Sequence, residues 1–338
     1  MRHRLLFTLS LVLVLLASPP LRAGGKTQAQ MLAGMPREIM DALAGSGRPD
    51  KSGLVGTNRR EGWIHAALQR GAMLMLSVGA ARGDKSAAEE AWRAIDTAFA
   101  RQKPEGNFES GSFQGRTQSR GDDLSGTAFW LSELCEALLV VRESPLADHF
   151  KERIDALLPK IKSAAHWLAA GEAELARGDS KAPNRLFFDA KAFGFAALLT
   201  HDESLVPVSK RFIAAGLKMQ REDGAFDERG GGDTSYQAVN LLKLQVLAMH
   251  LPDLRIDEVV ARGMKWELER ILPSGEVSTA ENTRVRPGGE TFLGHEKSVN
   301  YGEVVLALLY YSASTGDKEA ADAAARAFKF GRELARKR

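Results

Sequence analysis

Cysteine is nearly missing from this chain. Cys135 is the single one, so no intrachain disulfide can form. It stands in an apolar helical stretch and reads as a small core residue. A catalytic thiol would want a histidine partner and an exposed elbow, and neither is visible beside it. A real excess of positive charge is missing too. The formal charge is +3, but Arg2, Arg4 and Arg22 account for it, and residues 24–338 are balanced. That argues against the basic surface of a nucleic-acid binder. There is no His-x-x-x-His, no cysteine pair and no EF-type acidic loop, so neither metal nor cofactor is expected. An Asp-Asp-x-x-Asp diphosphate motif is also absent. Alternating strand patterns are nearly lacking, and the β-branched residues are scattered.

Long apolar runs are scarce as well. The one at the start, Leu5 to Ala17, is short for a spanning helix. It follows a basic beginning at Arg2 and Arg4 and precedes a small residue at Ala23. This is the layout of a secretory signal peptide over residues 1–23, cleaved near Ala23–Gly24; an uncleaved anchor is the other reading. The expectation is a periplasmic or secreted protein without stable membrane insertion after cleavage, with residues 24–338 as one domain.

What the chain has instead is a repeat. A helix ends in Gln-x-Pro-Glu-Gly-x-Phe-Glu at Gln102–Glu109, and another in Gln-x-Glu-Asp-Gly-x-Phe-x-Glu at Gln220–Glu228. A third ends in Leu-Pro-Ser-Gly-Glu-Val at Leu272–Val277. Each is followed by a polar, Gly-rich loop and then an apolar helix. Two further hairpins complete the set, with second helices at about 86–102 and 203–220. Apolar residues recur at helical spacing, as at Leu241, Leu244, Leu247 and Ala248. One helix of each pair is apolar almost all round, as an inner helix would be. The other is amphipathic, as at 148–170 and 253–271. The pattern predicts an all-α fold, an α/α toroid, as an incomplete barrel of about five to six helical hairpins.

In such a toroid the inner-helix N-termini and their rim loops converge on one face. Their unpaired N–H groups and partial positive charge suit an anionic ligand. Glycines 230–232 would let the loop before one inner helix turn sharply. Asp233, Asp122, Asp123 and Ser298 read as N-caps. Arg229 stands seven residues before Tyr236 across the glycine turn, so both can face one cavity. Tyr301 opens another inner helix after a similar loop. His65, His295, Trp63 and Trp130 are further candidates for the bowl, and Phe108, Phe113 and Phe226 for its rim; each has a packing role as the alternative.

The segment Asn184-Arg185-Leu-Phe-Phe-Asp189-Ala, then MQREDGAFDE, then Arg229 seven residues before Tyr236, resembles the alginate lyases of the α/α-toroid kind and the wider group of toroid polysaccharide lyases. The resemblance covers about residues 180–250. It implies that Asn184 and Arg229 handle a uronate carboxylate and that Tyr236 moves protons. Where the family has histidine after the asparagine, this chain has Arg185, whose guanidinium can still grip a carboxylate bidentately.

The expected chemistry is β-elimination on a uronate-containing polysaccharide. Arg229, Asn184 and Arg185 would neutralise the carboxylate and stabilise the enolate-like intermediate. Tyr236, its pKa lowered by the nearby arginine, would be the general base. Arg185, Asp233, His65, His295, Tyr301 and Trp130 would bind the acidic polysaccharide or oligosaccharide. Two alternatives stand beside this reading. One is a glycoside hydrolase using two of Glu109, Asp122, Asp123, Asp189, Glu228 and Asp233. The other is a toroid that binds glycans or proteins without catalysis.

Overall fold

Helices form where apolar spacing and caps agree. A computed structural model describes residues 25–337 apart from 113–114, 116, 252 and 293. The expected signal peptide and Phe113 lie outside the described residues. The chain begins with α1 (Gln28–Gly34), α2 (Arg37–Gly45) and α3 (Gly56–Glu61). A 3-10 turn at Ala66–Gly71 leads into α4 (Ala72–Ala81), which returns as α5 (Lys85–Phe99). Next come α6 (Arg120–Arg142), α7 (Ala147–Ala170) and the short α8 (Glu172–Asp179). Then follow α9 (Pro183–Thr200), α10 (Val206–Leu217), α11 (Thr234–His250) and α12 (Asp257–Leu268). A small hairpin, β1 (Thr291–Phe292) with β2 (His295–Glu296), precedes α13 (Tyr301–Thr315) and α14 (Lys318–Arg336).

The fold is all-α, as the periodicity predicts. Helices α4, α6, α9, α11 and α13 pack each on the next and form an inner wall. Helices α5, α7, α10, α12 and α14 pack behind them, each on its own inner partner. That gives five hairpins in toroid order. Helices α1 and α2 both lie on α4, and Gln28 at the head of α1 is hydrogen-bonded to Tyr310 of α13 at 2.8 Å. The N-terminal helices therefore complete the turn from the last hairpin back to the first. Helix α6 is long and apolar enough to cross a membrane, but most of it is buried in this wall.

The repeated turns explain how neighbouring hairpins lock together. Gln102 donates from Nε2 to Gly106 O and to Lys160 O of α7, each at 2.9 Å. Gln220 does the same one hairpin later, to Gly224 O at 3.0 Å and to Val259 O of α12 at 2.8 Å. Gly224 has φ +95°, and a Cβ there would stand 2.5 Å from Arg262 O. Only glycine tolerates both the conformation and the approach. Phe108 and Phe226, which close these turns, are fully buried; they meet Phe99 and Phe187 edge-on at 5.7 and 5.4 Å. They are core residues and not sugar platforms, since no face is left for a ligand.

Capping corrects some boundaries. Helix α6 starts at Arg120 with Ser119 as its cap, and Asp122 completes a capping box. Helix α13 is capped by Asn300, two residues after Ser298.

Candidate functional site

Asp233 is fully buried, and its two oxygens accept from three backbone N–H groups. Tyr236 N bonds to Oδ1 at 3.2 Å, and Arg284 N and Val285 N bond to Oδ2 at 2.9 and 2.7 Å. Asp233 therefore caps α11 and ties down the loop before α13. It is not available to a substrate, which corrects its assignment as a binding residue. Of glycines 230–232 only Gly230 has positive φ, at +97°. The other sharp position is Arg229 itself, at φ 65°, a conformation that disfavours side chains other than glycine's.

The loop held by Asp233 brings a second arginine to Tyr236, one that sequence spacing did not reveal. The Arg284 guanidinium carbon lies 3.6 Å from the centroid of the Tyr236 ring. Its Nη1 binds Glu228 Oε2 at 2.6 Å and its Nη2 binds Glu290 Oε2 at 3.0 Å. The Tyr236 hydroxyl donates to Glu290 Oε2 at 3.0 Å and accepts from Lys297 Nζ at 2.6 Å. Lys297 also pairs with Glu290 at 3.0 Å. Arg229, half exposed, reaches the same carboxylate at 3.6 Å. Arg229 and Tyr236 thus meet at Glu290.

These contacts set the charges. Burial pushes the Tyr236 phenol well above its usual range, and Glu290 and Glu228 add to that against Arg284. The expectation of a lowered phenol pKa is therefore reversed: the ring is half-buried, and its nearest charges include two carboxylates. Burial opposes ionisation of Glu290 as well, but hydrogen bonding to Lys297 and the charge of Arg284 hold it at about 2. Glu228 is fully buried, and desolvation outweighs Arg284 to push it up to about 7. Burial lowers Lys297, and Arg185 is near enough to add to that effect.

Arg185 reaches the bowl from α9. Its Nη1 pairs with Asp179 at 2.8 Å, and its guanidinium lies 5.9 Å from the Phe129 ring centroid. Asp189 is raised far above the usual carboxyl range by burial and by the charge of Asp179. The Asp189 of the resemblance segment is thus a buried acid behind Arg185. Asn184 is buried just after Pro183 at the start of α9, and its Oδ1 has no partner among the described residues.

The other candidates separate. Trp130 is fully buried, with its ring 6.5 Å from Phe99; it is wall packing, which corrects its placement as a ligand contact. Tyr301 faces outward, its ring 5.6 Å from Phe330 of α14 and its hydroxyl accepting from Val277 N at 3.2 Å, so it is not a bowl residue. His295 is exposed on the β1–β2 hairpin. His65 caps the 3-10 turn through Nδ1, which accepts from Ala67 N at 3.1 Å. Burial lowers its pKa to about 4, and its Nε2 has no partner among the described residues. Trp63 donates to Glu109 O at 2.9 Å, and Arg101 stacks on its ring at 4.6 Å.

Below the rim lies a cavity of about 240 Å³ between the inner helices. Its polar wall escaped the reading of inner helices as apolar all round. Lys191 is completely buried and pairs with Glu133 at 2.8 Å and with Glu136. Lys243, also buried, pairs with Glu133 at 3.0 Å. Burial opposes ionisation of Glu133, but Lys191 and Lys243 hold it well below the usual carboxylate range. Lys243 stands 4.7 Å from the Phe188 ring centroid, and Phe188 meets Phe129 edge-on at 4.7 Å. A line of aromatic and cationic groups therefore runs from the cavity to Arg185 at the rim. The signal for these residues was present in the sequence: Glu133, Glu136, Lys191 and Lys243 are charges within otherwise apolar helices, and buried charges are paired.

Among the described residues no cluster of His, Cys, Asp and Glu could hold a metal ion. No protein-family model matches the chain, and no curated protein sequence matches it. Among solved structures, the chain is similar to a sugar epimerase from a ruminal bacterium, with 13% identity and a TM-score of 0.49 over 86% of this chain and 87% of that one. At that identity and TM-score the likeness has no bearing on activity.

Proposed function

We propose that the bowl binds an acidic saccharide and cleaves it by β-elimination. The observation that carries this reading is the contact of the Tyr236 hydroxyl with Glu290 and Lys297, in reach of Arg229. Arg229, Arg185 and Asn184 take the uronate carboxylate, which lowers the cost of charge at the carbon beside it. Glu290 is ionised and takes the proton from that carbon. Tyr236 is protonated and gives its proton to the departing glycosidic oxygen. Lys297 and Arg284 stabilise the transient phenolate, and the proton on Glu290 then returns to Tyr236 across their 3.0 Å contact. The electron pair of the broken C–H bond becomes the new double bond, and the C–O pair leaves with the protonated oxygen.

Support for a hydrolase is weaker. Glu228 and Glu290 have the opposed protonation that such chemistry uses, but Glu228 is sealed beneath Arg284.

The test is ultraviolet absorbance of the conjugated double bond over a panel of alginate, polygalacturonate, heparan, chondroitin and glucuronan. A rise with the wild type that is lost by a factor of about 10²–10⁴ in Tyr236→Phe and in Glu290→Gln is the expected result. New reducing ends without absorbance would move the protein to the hydrolases. Silence in both assays would leave a binding protein.

A further inference from the structure

We infer that the saccharide enters end-first, its terminal unit seated in the 240 Å³ cavity, so that the chain is shortened from one end and not cut internally. This rests on the saccharide reading above.

The cavity is a dead end. Its mouth lies between Ser46, exposed just after α2, and Asn300, exposed just before α13. Its floor includes Glu136 and Tyr310, and behind them stands Gln28 of α1. Gln28 donates to Glu136 at 2.7 Å and to Tyr310 at 2.8 Å, and its Oε1 is bonded to His250 Nε2 at 2.7 Å. With Gln28 buried in three hydrogen bonds, α1 plugs the toroid, and a polymer cannot thread through.

The lining fits a polyhydroxylated ring. Glu133, Glu136 and Glu303 on the wall are matched by Lys243 and Arg70 beside them and by Lys191 buried behind, so the wall offers hydrogen-bonding oxygens and cationic groups without net charge. Phe188 presents an aromatic surface beside Lys243. Hydroxyls on a charge-balanced wall and a ring face on an aromatic suit a sugar unit through its hydroxyls, whereas the carboxylate is handled at the rim. The volume is below the roughly 300–1,000 Å³ of drug-sized pockets, which suits one ring better than several. The line from Phe188 through Phe129 to Arg185 then sets the next linkage toward the rim cluster.

The experiment follows absorbance, viscosity and product size together on alginate and polygalacturonate with the purified protein. The expected result is steady release of monomer or dimer while viscosity falls slowly. A fast collapse of viscosity with long oligomers would overturn end-first entry and leave the elimination reading standing. If no polymer gives absorbance, that reading fails by itself, and calorimetric titration with free glucuronate and with galactose decides the cavity. Saturable binding that weakens at least about tenfold in Ser46→Trp, an exposed change at the mouth, supports it. No binding, or equal binding in Ser46→Trp, overturns it.

Discussion

Arg284 lies face-on to Tyr236, with its guanidinium carbon 3.6 Å from the ring centroid, and it simultaneously neutralises the buried Glu228. The arginine that lies seven residues before the tyrosine, Arg229, is half exposed and 3.6 Å from Glu290. The two should behave differently when removed. Arg284→Ala strands a fully buried carboxylate and should cost about 3–5 kcal/mol of stability. Arg229→Ala should cost no more than about 1 kcal/mol, the range of surface pairs. On the proposed chemistry, Arg229→Ala raises KM for uronate polymers while the fold stays intact. Urea unfolding of both variants checks the first contrast. Equal destabilisation would show that Glu228 is not held by Arg284.

The lysine at the centre of the wall is the second point of strain on the charge balance. Lys191 has no exposed surface and is shared by Glu133 and Glu136. Lys191→Met leaves two partly buried carboxylates with one fewer cation and should destabilise, by less than the about 3–5 kcal/mol of a fully buried pair. Adding Glu136→Gln removes one of the stranded charges. The double variant should then be more stable than the sum of the single losses predicts, with a coupling of about 0.5–3 kcal/mol. Strict additivity in denaturant melts would refute the pairing.

Why some of this was legible and some not follows from the range of the interactions. The all-α hairpin order rests on local periodicity and on turns such as Gln102–Phe108 and Gln220–Phe226, whose contacts lie mostly within one repeat. The N-cap at Asp233 is likewise local, three residues from its acceptor role at Tyr236 N. Arg284, Glu290 and Lys297 reach Tyr236 only because the loop before α13 folds back over α11, and they come from 48 or more positions away. No spacing rule links such positions. Trp130 and Tyr301 were placed on the right helices but the wrong faces, since an inner helix that is apolar all round gives no phase from which to tell the bowl side from the wall side. The Asn184–Asp189 segment did mark an edge of the bowl, yet the role of Asp189 as a buried acid behind Arg185 depends on Asp179 from the preceding helix.

Two buried groups should give pH dependences of opposite sign. Glu267 is completely buried, and neither of its oxygens has a partner among the described residues. Burial, and then the charge of Asp233, raise it far above the usual carboxyl range. The folded state therefore binds a proton that the unfolded chain releases above its ordinary pKa near 4.5, and stability is lost as pH rises from there. Glu267→Gln removes that loss. Its advantage over the wild type should be small near pH 4 and grow toward neutrality, at up to about 1.4 kcal/mol per pH unit. His250 runs the other way. Burial, and then Lys191, lower it to about 4, so the folded state refuses a proton that the unfolded chain takes below about 6.5, and stability is lost as pH falls toward 4. His250→Gln keeps a donor for Gln28 and should gain on the wild type only on the acid side. Thermal melts of the three proteins between pH 4 and 8 measure both slopes. A Glu267→Gln gain that does not change with pH would mean that this carboxyl ionises in the folded protein as freely as in the unfolded one.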